Sequence, residues 1–265
     1  MFIEIFNIYT ILLNACYNKL KDYACFLVYP ENMDISKYLD VHKSLIPKPV
    51  NPSWLSSIEK YNKMKLSIDF YNMFNQYNYM LTYELDAYIF DSNLCTQEFI
   101  KYDFIGAPYF VGYLNALPDA SFIIGGNSGF SIRNIQSCIH VLRSMSKYFY
   151  SWLIYKYIFS KSKILRAITN RLTWRKYDAI IYGRFSFFFT DEYVNEDIIW
   201  SRIIPEFFPG FKIANTETAI KFSFEANPDR LYQLNNNQLP IGCHAWPKFK
   251  SFWKDYIPEL SEQSF

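Results

Sequence analysis

Residues 79–90 read YMLTYELDAYIF, and the fold turns on them. The run is apolar and aromatic apart from Glu84 and Asp86, and its composition predicts a strand. Acids two positions apart in a strand project from the same face. A single acid at a strand end ordinarily forms a turn or caps the next helix, but apolar neighbours on both sides leave little room for a solvated charge here. A carboxylate so placed commonly meets a metal ion, a ribose hydroxyl or a cation.

Outward from this strand, strand and helix patterns alternate. Residues 24–30, ACFLVYP, form a short apolar run ended by Pro30, the pattern of a buried strand. Between 52 and 77, Leu55, Ile58, Tyr61, Met64, Ile68, Tyr71 and Phe74 recur at intervals of three or four, which predicts a helix. YDFIGAP (102–108) is a strand running into a turn, and SFIIGGNSGFSIRN (121–134) is strand, tight loop and strand, with a helix following to about 145. Residues 211–227 end in a further strand, and IGCHAWPKF (241–249) closes the fold. Such alternation predicts an α/β fold whose ligands sit beyond the carboxyl ends of the strands.

The tight loop is unusual for this chain. It has eight glycines in 265 residues, yet Gly125, Gly126 and Gly129 fall within five positions. Glycine loses the most conformational freedom on folding, so the cluster implies either positive φ or a close approach to the backbone.

Two further motifs carry chemistry. In YVNEDIIWS (193–201), Asn195 precedes Glu196, Asp197 and an apolar helical start. That is ordinary N-cap composition, and it also suits a carboxylate acting as general base. Of the three histidines, His42 and His140 lack suggestive company, whereas His244 sits in GCHAWPKF between Gly242 and Trp246, with Lys248 following.

Half the chain is hydrophobic (51%), which excludes a disordered protein. Five scattered cysteines without zinc or redox spacing predict reduced thiols and a cytoplasmic protein. The opening MFIEIFNIYTILLNACYNKL carries Glu4, lacks a basic leader and is too short an apolar run to span a bilayer. Net charge is +2, but residues 120–177 contain ten Lys or Arg and no acid. Nucleic acid, an anionic membrane surface or a phosphorylated substrate would each suit such a segment.

The runs YNKMKLSIDFY, YMLTYELDAYIF, YDFIGAPYF, GGNSGFSIR, NEDIIWS, FKIANTETAIKFSFE and LYQLNNNQLPIGCHAW, in this order, resemble a bacterial family of uncharacterised domains placed among the GT-A-fold nucleotide-diphospho-sugar transferases. The resemblance covers roughly residues 16–135 and 190–255. It implies one GT-A-like, Rossmann-like domain over 1–265, with a mixed central sheet flanked by helices. It also implies a glycosyltransferase that moves a sugar from a nucleotide-diphosphate donor to a hydroxyl of a cell-surface glycan or glycolipid.

In that reading Asp86 and His244 hold Mn²⁺ or Mg²⁺, and Glu196 or Asp197 removes the acceptor proton. Gly125, Gly126, Asn127, Ser128 and Gly129 form the loop where donor and acceptor approach, while Lys63, Trp246 and Lys248 contact the donor. Two positions depart from the family pattern. Tyr88 stands where the second acid of a D-x-D motif is usual, and residues 1–15 stand where the fold opens on a strand. The competing expectation is a non-catalytic nucleotide-sugar or glycan-binding relative.

Residues 143–176 lie outside the resemblance and hold nine basic residues, no acid and many aromatics. We expect a basic, helical insertion (143–178) that either packs on the body or docks on the anionic inner face of the cytoplasmic membrane. No nucleic-acid module is recognisable, so nucleic acid is not an expected partner.

Overall fold

The computed structural model describes residues 2–123, 125–145, 161–164, 179–181, 184–187 and 190–261. It is mixed α/β, with thirteen strands among the described residues arranged in five small sheets. Strand β1 (Phe26–Pro30) pairs in parallel with β2 (Ile46–Val50). The second of these was not expected, because Pro47 and Pro49 hide a strand that lies at a sheet edge.

Strand β3 (Tyr79–Tyr83) is one edge of an antiparallel sheet with β4 (Tyr88–Ile89) excluded from it. Its partner is β8 (Phe130–Asn134), which pairs on its other side with β5 (Phe104–Gly106). A hairpin of β6 (Tyr109–Phe110) and β7 (Phe122–Ile123) lies between. Strands β9 (Ala179–Ile181), β10 (Arg184–Phe187) and β11 (Thr190–Tyr193) form an antiparallel meander. Finally β12 (Ser223–Phe224) runs parallel to β13 (Gly242–Cys243), which pairs antiparallel with β4.

The run 79–90 is therefore two strands rather than one. Residues 85 and 86 form a turn, closed by Ala87 N–H donating to the Glu84 carbonyl at 2.8 Å. The chain changes sheets at this turn. Glu84 and Asp86 come together by turn geometry, and the shared strand face expected from alternation does not apply.

The helical periodicity of 52–77 also resolves into pieces: a 3₁₀ turn Pro52–Leu55, α-helix Ile58–Lys65 and α-helix Ile68–Asn72. Ser57 and Ser67 cap the two α-helices by accepting from Lys60 N–H and Phe70 N–H. The helix expected after β8 is present over 135–145. At the amino end, where the resemblance implies a strand, Phe2–Lys19 is a helix. It docks on β4 through Cys16, whose sulfur accepts from Ile89 N–H, and Lys19, which donates to the Ile89 carbonyl at 2.7 Å.

Strand β8 separates two apolar cores. Its alternation sends Phe130 and Ile132 into one, with Phe222, Phe224, Trp246 and Trp253. The opposite face carries Ser131 and Arg133 toward the second, built on Tyr71, Phe104, Ile139 and Trp200. Polar residues on a buried face need partners, and Arg133 has them: it donates to Tyr71 at 2.9 Å, Ser131 at 3.2 Å and Glu196 at 3.1 Å.

The basic insertion expected over 143–178 lies, apart from 143–145 and 161–164, outside the described residues. Among the described residues no helix is long and apolar enough to cross a membrane.

Candidate functional site

Four strand ends converge. The parallel pair β12 and β13 delivers Glu225 and His244 side by side just past their carboxyl ends, held by His244 N–H donating to the Phe224 carbonyl at 2.9 Å. Antiparallel β4 brings Asp86 to the same edge, where its carbonyl accepts from Trp246 N–H at 3.3 Å. The β3–β8 ladder adds Glu84, whose N–H donates to the Gly129 carbonyl at 2.9 Å.

The result is an imidazole ringed by three carboxylates. His244 Nε2 lies 3.1 Å from Asp86 Oδ1 and 3.4 Å from Glu84 Oε2, and Nδ1 lies 3.5 Å from Glu225 Oε1. Burial opposes charge on the ring, but Asp86, Glu225 and Glu84 outweigh it and push its pKa up to about 11. These are contacts of charge, since neither ring nitrogen makes an aligned hydrogen bond among the described residues.

Glycine accounts for the ring's position. A Cβ on Gly129 would stand 2.6 Å from His244 Cε1, so only glycine lets the imidazole rest there. Gly125 has φ +128°, and a Cβ on it would overlap Ser201. A Cβ on Gly126 would meet the Gly106 carbonyl oxygen at 2.7 Å. Asn127 Oδ1 accepts from Gly129 N–H at 2.6 Å, and Ser128 Oγ accepts from Lys65 at 3.1 Å. Protein groups thus meet the close approach that the cluster demands.

Behind the ring lies a buried ionic chain. Lys65 Nζ, 1% exposed, sits 3.0 Å from Glu84 Oε1 and 3.0 Å from Glu196 Oε1, and Glu196 also faces Arg133 at 3.1 Å. Burial alone would raise both acids. Lys65 and His244 instead hold Glu84 well below the usual carboxylate range, and Arg133 and Lys65 lower Glu196. Breaking such a pair strands a buried charge and costs about 3–5 kcal/mol.

Asp197 differs from its neighbour. Burial, with Glu196 and Glu225 nearby, raises its carboxyl to about 6, while Tyr109 donates to its Oδ2 at 3.2 Å. Tyr113 donates to Glu225 Oε1 at 2.9 Å, and the two tyrosine rings meet edge to face at 5.3 Å.

Asn195, expected as the helix cap, makes no capping bond; its Oδ1 accepts from Asn62 instead. Lys63 pairs with Glu59 one turn back at 2.9 Å, and Lys65 is the lysine that enters the cluster. Trp246 is buried in the first core, and Lys248 is exposed.

A cleft of about 790 Å³ opens beside Glu84 and Asp86. Strands β1 and β3 line its two sides, with Tyr38, Tyr61 and Lys65 among the contributing side chains.

Lys65, Arg133, Glu225, Tyr109 and Tyr113 were not expected from the sequence. Lys65 falls on the apolar face of its helix, next to Met64, and Glu225 in FSFEAN is an apolar-flanked acid after a strand, the same signal as in YELDAY. Glu84 precedes Asp86 as an acid-x-acid pair, so a second carboxylate is present on the side opposite to Tyr88.

The model of a family described as "Protein of unknown function (DUF5672)" matches residues 47–244, most of the chain, and the chain belongs to that family. The matched span contains Lys65, Glu84, Asp86, Glu196, Asp197, Glu225 and His244. No curated protein and no solved structure matches the chain.

Proposed function

We propose that the chain is a glycosyltransferase of GT-A-like architecture, moving a sugar from a nucleoside-diphosphate donor to a hydroxyl of a glycan or glycolipid. The observation that carries this reading is the convergence of Glu84, Asp86 and His244, whose ligand atoms lie within 4.8 Å of one another, with Glu84 and Asp86 lining the cleft. Carboxylate oxygens with an imidazole nitrogen suit a divalent cation such as Mn²⁺. Nε2, buried and without an aligned hydrogen bond among the described residues, fits that use. Glu84, Asp86 and His244 would hold the ion, which supplies counter-charge for a departing diphosphate.

The chain's own residues do the rest. Lys65 keeps Glu84 ionised and fixes one of its oxygens, leaving Oε2 toward His244. Asp197, rather than Glu196, is the general base in this reading. Glu196 is locked between Lys65 and Arg133 at 1% exposure and cannot meet an acceptor hydroxyl. A carboxyl near 6 accepts a proton readily at neutral pH. The aromatic wall of the cleft suits a nucleoside. In this reading the donor cleft lies between the β2–β1 and β3–β8–β5 sheets, whose strands β1 and β3 line it.

A thermal-shift screen with UDP-, GDP- and TDP-sugars, with and without Mn²⁺, followed by turnover of Asp197→Asn, tests the reading. We expect one donor to raise the melting temperature in Mn²⁺, and Asp197→Asn to keep that shift while losing about 10²–10⁴-fold in turnover. No shift with any donor, or wild-type turnover in Asp197→Asn, would refute it.

A further inference from the structure

We infer that Glu225 is the positioning residue that makes His244 a ligand, an inference that rests on the cation reading above. Glu225 is 2% exposed, and its Oε1 faces His244 Nδ1 at 3.5 Å while accepting from Tyr113 at 2.9 Å. Its other oxygen, Oε2, is buried without a hydrogen-bond partner among the described residues. A carboxylate is not left in that condition without a task, because removing it from water costs several kcal/mol.

The task follows from the two faces of the ring. Nε2 points at Asp86 and Glu84, both of which line the cleft. Nδ1 points inward at Glu225. An imidazole that gives Nε2 to a cation must carry its proton on Nδ1, and a carboxylate behind Nδ1 fixes that tautomer, aims the ring and raises its basicity. Gly129 sets where the ring stands, and Glu225 sets which nitrogen it presents. Tyr113, from the segment after β6, holds the same oxygen and so prevents the carboxylate from turning away.

The test is Mn²⁺ titration of the intact chain, with free Mn²⁺ read from its electron paramagnetic resonance signal. The melting temperature of each variant without metal serves as the check on folding. Compared are wild type, His244→Ala, Glu225→Ala, Glu225→Gln and the exposed control Glu206→Ala. We expect Glu225→Ala to weaken Mn²⁺ by about 10–100-fold. Glu225→Gln, which keeps an oxygen to accept from Nδ1, should lose only about 3–10-fold. Glu206→Ala should bind as wild type does. If Glu225→Ala does not fold, Glu225→Gln carries the test alone. Wild-type affinity in the Glu225 variants, with His244→Ala weakened, overturns the inference and leaves the cation reading standing. A glutamine variant as weak as the alanine variant overturns positioning through an acceptor oxygen. A wild-type chain that retains no Mn²⁺ overturns both.

Discussion

His244 stands where it does because Gly129 lacks one carbon. Gly129→Ala would drive a methyl into the ring, and the ring is wedged among three carboxylates. Overpacking of this kind costs about 1–3 kcal/mol. We therefore expect Gly129→Ala to lower stability by that amount in denaturant titration and to weaken Mn²⁺ together with it. Asp197 makes a separate prediction. Its folded pKa of about 6 lies above the ordinary aspartate value, so the native state holds its proton more tightly than the unfolded chain does. Stability from this group is full below about pH 4 and is lost as pH rises through 6, by up to roughly 3 kcal/mol. Glu84 and Glu196 are shifted downward and act with the opposite sign, their stability being lost as pH falls below the ordinary glutamate value, while the contribution of His244 is lost only as pH rises above the ordinary imidazole value. Asp197→Asn should consequently abolish the decline between pH 4 and 6 and be the more stable protein at pH 7. An unchanged slope would show that Asp197 is not the raised acid. At this scale the sequence was partly legible: apolar flanks marked Glu84 and Asp86 as unusual acids, and the family resemblance paired Asp86 with His244, which lies 3.1 Å away. Lys65 was not legible because its helical position reads as core, and Arg133 because alternation with Phe130 and Ile132 reads its face of the strand as solvent.

Breaks within elements, rather than the elements themselves, build the site. The turn at residues 85 and 86 splits 79–90 into strands of two sheets and turns Asp86 back toward His244. Ser67 splits the periodic run 52–77, and the helix that ends at Lys65 delivers its ammonium to Glu84. If 52–77 were one helix, Ser67→Ala would stabilise it, since alanine is the better helix former. With Ser67 as an N-cap, the same change should destabilise by about 1 kcal/mol, readable as a shift in the urea midpoint. Periodicity recorded which residues face the core and passed over these interruptions, because an apolar stripe can continue across a capped break. The same limit applied to β2, where two prolines masked a strand that pairs on one side.

Across the whole molecule, the alternation of strands and helices was legible as mixed α/β, and the Glu225–His244 cluster lies past the carboxyl ends of β12 and β13. The distribution into five small sheets was not, because sheet membership depends on pairings between distant segments that no local pattern encodes. The whole-molecule claim is that the cluster and the cleft form one site, cation at the rim and nucleotide within. Calorimetric titration of nucleoside diphosphates into wild type and Asp86→Asn, each in Mn²⁺ and in EDTA, tests it most directly. The account predicts binding by wild type in Mn²⁺ that falls at least about tenfold in EDTA, and equally weak binding by Asp86→Asn in both. Binding that is indifferent to EDTA and to Asp86→Asn, or no binding by wild type in Mn²⁺, would contradict it.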